Sequence, residues 1–599
     1  MSHPFAPDLF LVVRNHVLDA LRAVVPDLPD DVLTRVEVTP PRDAAHGDMA
    51  TNAALLAAKL AKQAPIKLAE SLAAALRAVP LIAEANAAGP GFINLRLQQS
   101  ALQGVLPEIL RAGIHYGDSP LGAGRPVNLE YVSANPNGPM HIGHCRGAVV
   151  GDALASLMQK AGFAVTREYY INDAGNQVRA LAWAAYWRYL QALGTSLTEE
   201  EYATQVPGGL QYRGEYLIPV GEKLAAVYGD QLAPGAQIAE PALWLDLVRD
   251  FSIEAMMAEI RDDLAALGVK HDVFTSERAL LESGATDRAI DFLAAQDLIY
   301  TGTLEPPKGK LLDDWEPRPQ LLFRATRFGD DVDRPLRKSD GSNTYFANDI
   351  AYHADKLSRG AEILIDVWGA DHGGYVSRMK SAVKALAGAR DARLDVLVCQ
   401  IVHVMQNGQP VRMSKRAGTF VTLRDLIEWV GKNAVRFTML MRKPDAQMEF
   451  DLDAVVAQTR ENPVFYVQYA HARCRSVLRA GLATYGEDAV TATALAQAPV
   501  GQLVAPAELD VMRRLMAWPR LVEGAALARE PHRIAFFLYE LAADFHMLWN
   551  QGKGESALRF LQSEDPSGTM ARLALVACVA TVIRSGLAVL GVEPVEEMR

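Results

Sequence analysis

The stretch PVNLEYVSANPNGPMHIGHCRG, residues 126–147, decides the fold. Its opening VNLEYV reads as a strand, and a loop rich in Asn, Pro and Gly follows. The chain then enters a helix whose Val150, Ala153, Leu154, Leu157 and Ala161 share one face, with Gly162 as its C-terminal cap. Residues 163–171 read as the next strand. Strand, loop, helix, strand is the signature of a parallel α/β sheet. The handover from strand to helix carries His141, Ile142, Gly143 and His144. A helix N-terminus there offers unpaired N–H groups and a positive dipole end to a phosphate. Two imidazoles one turn apart add donors, and Gly143, lacking a Cβ, lets a flat base lie against the backbone. The alternative is a pair of surface histidines.

Outward from this stretch, a similar unit returns as ILIDVW (363–368), the loop GADHGG and a helix over 376–387. The mostly helical stretch of about 177–305 between them reads as an insertion between two halves of one nucleotide-binding fold. Ahead of residue 126, helical spacing over 10–25 and 52–62 gives way to GPGFINLRL (89–97). There Ile93, Leu95 and Leu97 alternate with Phe92, Asn94 and Arg96, as in a half-buried strand. The linker YGDSPLGAGRP follows. From Asp451 the pattern is helical, notably over 465–478, 511–526 and 571–590. The fold expected is multidomain α/β plus all-α: a small α/β domain over 1–118, a Rossmann-like parallel fold over 119–450 with its insertion, and a helix bundle over 451–599.

Composition narrows the function. A chain of 599 residues with 50% hydrophobic and 22% charged residues is neither disordered nor a multi-span membrane protein. Its longest apolar run, 573–583, is about half of what a bilayer requires, so no membrane partner is expected. The N-terminus has no basic region before its apolar patch, which points to the cytoplasm. Cys145, Cys399, Cys474 and Cys578 are isolated, so neither a disulfide framework nor a structural zinc site is encoded. The net charge of -11 excludes a diffuse basic surface for nucleic acid. Even residues 451–599, with 14 Lys+Arg against 17 Asp+Glu, carry a net charge of −3, so any RNA must be held by local patches.

A second string, NGQPVRMSKRAGTF (407–420), begins with the hairpin-turn pair Asn407-Gly408 and runs into small and basic residues before Thr422 opens a helix. Such a loop can close over a ligand, with Lys415 between Arg412 and Arg416 supplying charge to phosphates. A basic loop by itself is as well explained as solvated surface. HIGH at 141–144 together with MSK at 413–415 resembles the class I aminoacyl-tRNA synthetases. Within that class the chain resembles arginyl-tRNA synthetases through LEYVSANPNGPMHIGH, REYYINDAGNQ, YFANDIAYHADK, WGADHGGY, RMSKRAGTFVTL and GLAVLGV, essentially end to end.

The resemblance implies activation of L-arginine by ATP with Mg²⁺ and transfer to tRNA(Arg) by a monomeric enzyme, without zinc, another resident metal or an organic prosthetic group. It also implies transfer to the terminal 2'-hydroxyl and a need for bound tRNA before activation. His141, His144 and Lys415 would stabilise phosphate charge, with Asn137, Ile142, Gly143, Arg412, Met413 and Ser414 around the nucleotide. A guanidinium asks for carboxylates placed for forked hydrogen bonds. By motif position these are Glu130 and Asp349, with Tyr345 one helical turn before Asp349 and able to stack on or bond the same group. Ser133, Asn135 and His372 correspond to groups holding the ammonium and carboxylate of the amino acid. Without the family, Glu130 is an ordinary strand-end acid and Asp349 a helix salt-bridge partner. The resemblance assigns anticodon contact to the last domain, where Tyr466, Tyr469, Arg473 and Arg475 mix aromatics with cations; an aromatic stripe of this spacing is more often core, and the tyrosines read first as that. In the first domain it implies contact with the tRNA elbow, for which Phe92 and Asn94 are the candidates.

Two positions depart from the family pattern. Arg412 stands where the signature loop begins with lysine, which keeps the charge and changes the geometry. Gly138 stands where members with a degenerate loop carry a lysine, in keeping with a loop lysine that is present here. A cysteinyl enzyme of the same class would need metal ligands that scattered cysteines do not supply. A silent tRNA-binding paralogue would be expected to lose His144 or Lys415, and a small nucleotidylyltransferase leaves the insertion and bundle without a purpose.

Overall fold

The structure, a computed structural model, describes residues 8–41, 43–305, 318–411 and 421–598. The chain forms two compact units, one of residues 1–121, 160–162 and 458–599 and the other of 122–159 and 163–457.

The first unit opens with an antiparallel sheet of β1 (Val38–Thr39), β2 (Met49–Thr51), β3 (Ile82–Ala88) and β4 (Phe92–Leu97), in spatial order β1-β2-β4-β3. β4 alternates as its sequence does: Ile93, Leu95 and Leu97 are buried, while Phe92 is 42% exposed on the other face. The helical spacing over 52–62 yields only Ala53–Ala57 before the chain turns. The later part of this unit is a bundle of Pro463–Tyr485, Pro506–Met516, Trp518–Ala528, His532–Gly554 and Pro566–Leu590. One continuous pattern over 511–526 is here two helices, because Pro519 has no N–H to continue the first. Helix Pro566–Leu590 is long and apolar enough to cross a membrane by length and composition, but 83% of its apolar window is buried within the unit. Asp48 joins the sheet to the bundle: Leu97 N–H donates to Oδ2 at 2.7 Å and Arg513 Nε to Oδ1 at 2.6 Å. Gly117, at φ +89°, lies against the indole of Trp518, where a Cβ would come within 2.5 Å.

The second unit is built on parallel strands β5 (Pro126–Glu130), β6 (Ala164–Ile171) and β7 (Val273–Ser276). Three short strands, β8 (Ile299–Gly302), β9 (Gln320–Phe323) and β10 (Arg334–Arg337), form a separate antiparallel sheet. β11 (Ile363–Gly369) and β12 (Arg393–Cys399) then complete a five-stranded parallel sheet in the order β12-β11-β5-β6-β7. This is a doubly wound sheet whose strand order reverses between β5 and β11, and ligands bind such sheets outside the carboxyl ends at that reversal. The stretch read as an insertion is not wholly outside the sheet. β7 lies within it and pairs parallel with β6, from Glu168↔Val273 to Ile171↔Ser276. Four residues are too few to show a period.

β13 (Val402–Gln406) turns at Asn407-Gly408 into β14 (Gln409–Pro410), and β15 (Met448–Asp451) pairs parallel with β13. Asn407 and Gly408 both have positive φ, as this hairpin turn demands. After residue 420 the chain returns to the HIGH segment. Leu423 N–H donates to the Met140 carbonyl at 2.9 Å, and His141 forms an isolated bridge with Thr422. From helix Ile142–Lys160 the buried Arg146 donates to three carbonyls, those of Gln400 (2.9 Å), Ala446 (2.7 Å) and Lys443 (2.8 Å). Arg146→Met would strand these acceptors in the interior at a cost of about 3 kcal/mol, which a lowered midpoint in urea unfolding would register.

Candidate active site at the carboxyl end of the parallel sheet

Both nucleotide-loop histidines are ordered by the backbone around them. His141 Nδ1 accepts the Gly143 N–H at 3.1 Å and His144 Nδ1 accepts the His141 N–H at 3.3 Å. The ring hydrogen of each neutral imidazole therefore lies on Nε2. The two rings stack at 3.9 Å, and a Cβ at position 143 would press on His141 at 3.0 Å. Glycine at this position thus admits the histidine fold-back and leaves the exposed helix start uncovered. Asn135 and Asn137 share one acceptor, Gln177 Oε1, at 2.9 and 3.3 Å. Asn137 also donates to Tyr212 Oη at 3.1 Å, and its carbonyl accepts from Tyr216 at 2.7 Å.

At the strand reversal, Glu130 ends β5. Its register partners are Asp366 on β11 and Glu168 on β6, so three carboxylates lie side by side on one face of the sheet. Helix Tyr345–Ser358, capped by the Thr344 side chain, runs over them. The buried Lys356 Nζ donates to Glu130 Oε2 at 2.5 Å and Asp366 Oδ1 at 3.0 Å. Arg359 Nη2 reaches both oxygens of Glu168, at 2.8 and 2.9 Å. His353 Nε2 meets Asp366 Oδ2 at 2.9 Å, and its Nδ1 meets the Asp349 carbonyl at 2.8 Å. Burial alone would raise the Asp366 carboxyl, but Lys356 and His353 hold it below the usual range. Lys356 is likewise disfavoured by burial and is driven upward by Asp366, Glu130 and Glu168. Ser133, at a strained φ of 40°, donates from Oγ to Glu130 Oε1 at 2.8 Å and accepts the Tyr170 N–H at 3.0 Å.

Asp349 has a different environment. Its carboxylate accepts the Tyr375 hydroxyl at 2.6 Å, and burial pushes it up to about 6, with Tyr375 and His353 opposing the rise and Glu130 and Asp366 adding to it. Glu277, which starts a short helix at the carboxyl end of β7, is pushed up to about 7 by burial, Asp349 and Asp173. Neither Asp349 nor Glu277 has an ion-pair partner among the described residues, and an incoming cation would favour the charged form of each.

Comparison with known proteins shows the family. Family models match residues 12–97 as an arginyl tRNA synthetase N terminal domain, 106–196 as a class I (R) tRNA synthetase catalytic domain, and 467–598 as a DALR anticodon binding domain. A protein of Gluconobacter oxydans named arginine–tRNA ligase is 60% identical over 592 residues, spanning 99% of this chain and 98% of its own. One of Ruegeria pomeroyi with the same name is 56% identical over 596 residues, spanning 99% and 100%. The chain belongs to the arginyl-tRNA synthetase family. The fold is that of Thermus thermophilus arginyl-tRNA synthetase, with a TM-score of 0.70 at 21% identity over 98% of this chain and 100% of that one.

Seen as a member of this family, the chain places its expected site residues unevenly. Glu130, Ser133 and Asp349 meet at the strand reversal, and Asn135 and Asn137 converge on Gln177. Tyr345 starts the helix of Asp349 with its side chain 71% exposed, and it is Tyr375 that bonds the carboxylate. His372 is exposed on the turn Ala370–Tyr375, beside Trp368. Arg412, Met413, Ser414 and Lys415 lie outside the described residues. In the other unit, the half-buried Tyr466 and Tyr469 are neither core nor free surface. Arg473 stands over the rings of Tyr469 (4.1 Å) and Trp549 (4.8 Å), and Arg475 pairs with Glu596 at 2.6 Å. Residues that the sequence reading missed, namely Gln177, His353, Lys356 and Tyr375, all lie inside motifs that carry the family resemblance. Glu277 and Asp366 lie outside those motifs. Tyr375→Phe removes the hydroxyl that opposes the rise at Asp349, so the arginine KM should increase about threefold to tenfold, and more at pH 6 than at pH 8, in steady-state aminoacylation.

Proposed function

We propose that the chain activates L-arginine with ATP and transfers it to its cognate tRNA, holding the guanidinium at Glu130 and Asp349 and the nucleotide phosphates at His141 and His144. The reading is carried by the two acids: one on the central strand and one on the facing helix converge where the strand order reverses. ATP enters as its Mg²⁺ complex. The arginine carboxylate attacks the α-phosphorus in line, forming the mixed anhydride while the bond to the leaving pyrophosphate breaks. No protein nucleophile is required, and the chain contributes position and charge. Nε2–H of the stacked histidines would donate to phosphate oxygen as charge moves to the leaving group, joined by Lys415 from the second motif. Arg412, Met413 and Ser414 would line the nucleotide with Asn137, Ile142 and Gly143. The ribose 2'-hydroxyl of the tRNA terminus then attacks the carbonyl carbon, and AMP departs.

Ser133, Asn135 and His372 would serve the ammonium and carboxylate of arginine, and Tyr345 would cover its guanidinium. tRNA contact is assigned to Phe92 and Asn94 on the outer face of β4 and to Tyr466, Arg473 and Arg475 along helix Pro463–Tyr485. In support, the Arg473 guanidinium lies over the rings of Tyr469 and Trp549, the mixture of cation and aromatics that unpaired bases stack on.

ATP–pyrophosphate exchange with arginine, with lysine and cysteine as controls and with and without tRNA, tests the activity. Exchange with arginine alone among the three is expected, and only when tRNA is present. Asp349→Asn should raise the arginine KM by about a hundredfold, since it leaves a buried cation with one acid in place of two. A pH series gives a further test with a definite sign. Asp349 and Glu277 are neutral below their raised values of about 6 and about 7, so arginine binding is weak there. It should strengthen as pH rises through that window and then level off, and below it binding should release protons, which titration calorimetry in buffers of different ionisation enthalpy measures.

A further inference from the structure

Glu130 stands in register between two other carboxylates, Asp366 on β11 and Glu168 on β6. Adjacent strands are about 4.8 Å apart, so the three acids are as close as the sheet allows. Like charges at that spacing repel one another, so acids set there call for fixed cations or donors between them. Glu168 is answered by Arg359, by the Asn128 side chain and by Thr275 at 2.5 Å. Between Glu130 and Asp366 the answering cation is Lys356, fully buried and bonded to both. Its ammonium cannot act by reaching solvent or substrate phosphate, since both its reach and its charge are taken up by these two acids.

We infer that Lys356 is a positioning residue for arginine selection: anchored on Asp366, it holds one carboxylate oxygen of Glu130 while Ser133 holds the other. This rests on the reading of Glu130 as a guanidinium-binding acid. Every charged or titratable group facing Glu130 enters the balance: Asp366 from β11, Glu168 and Tyr170 from β6, and Asp349, Tyr352, His353 and Lys356 from the helix. Of these, Lys356 alone bonds Glu130 as a cation among the described residues. The ladder also explains the placement of His353, which meets the remaining oxygen of Asp366 and the carbonyl of Asp349 and so ties the second pocket acid to the same anchor.

The test is a set of variants of the full chain assayed by aminoacylation with arginine and ATP varied in turn. Lys356→Met is expected to raise the arginine KM about tenfold or more, with the ATP KM within about threefold of the parent and kcat falling less than KM rises. Lys356→Arg, which keeps the charge, should lie nearer the parent. Lys356→Met/Asp366→Asn removes the cation together with the anion it answers and should recover arginine KM relative to Lys356→Met, because Glu130 then faces one charged neighbour fewer. If Lys356→Met does not fold, the comparison of the neutral pair with Lys356→Arg decides: a neutral pair that binds arginine within about threefold of the parent agrees with the inference, and one that fails equally toward arginine and ATP overturns it. An arginine KM unchanged in Lys356→Met also overturns it, as does no recovery in the double variant. Glu130→Gln separates the two layers. If it raises the arginine KM while Lys356→Met does not, the positioning role falls and the pocket stands; if Glu130→Gln leaves arginine KM unchanged, the pocket reading itself falls.

Discussion

Three carboxylates in register across three parallel strands are the constraint around which the second unit is organised. Asp366, Glu130 and Glu168 crowd one face of the sheet, where like charges directly opposite one another are destabilising. Helix Tyr345–Ser358 and the Arg359 that follows it answer with His353, Lys356 and Arg359, set along one stripe of the helix by their spacing. That helix must therefore lie on this face, at this height, with this rotation. Its orientation brings Asp349 to the carboxyl ends of the strands, one turn before His353 and two before Lys356. The site geometry is a consequence of neutralising the sheet.

The same constraint separates the two acids of the pocket. Glu130 has a cation fixed to it and a hydroxyl from Ser133, so its direction is set before any ligand arrives. Asp349 has a neutral phenol and a burial cost, and it stays near its titration point together with Glu277. A carboxyl in that condition gains most from an incoming cation, because the cation supplies the compensation that the fold withholds. One acid is thus fixed by its partners, and the other has no ion-pair partner among the described residues.

Legibility in the sequence followed the range of the interactions. Local signals were readable: the strand-to-helix handover at 126–147, the Asn407-Gly408 hairpin, the left-handed Gly162 after its helix and the alternation in β4 all appear as spacing predicts. The acids Glu130 and Asp349 were legible only through the family motifs, since nothing in the spacing says that residues 219 apart share a pocket. Lys356 lay in plain view in YFANDIAYHADK, where a helix-end lysine reads as solvated surface. Its partner Glu130 is 226 residues away, and the register that joins them is set by sheet pairing, which leaves no local trace. β7 escaped because a four-residue strand inside a helical stretch has no period, and with it went Glu277, which that strand delivers to the site.

Helix Ile142–Lys160 links this electrostatic arrangement to the nucleotide side. It begins at the histidines that would meet phosphate and, four residues on from Ile142, sends Arg146 to the carbonyls of Gln400, Lys443 and Ala446. Those carbonyls belong to the segments around β13 and β15, and the residues after 420 return to bond Met140 beside His141. Segments on either side of the second motif thus bond this helix or the residues just before it. A single buried arginine and one backbone bridge hold the start of this helix against residues 254 to 300 positions further along the chain.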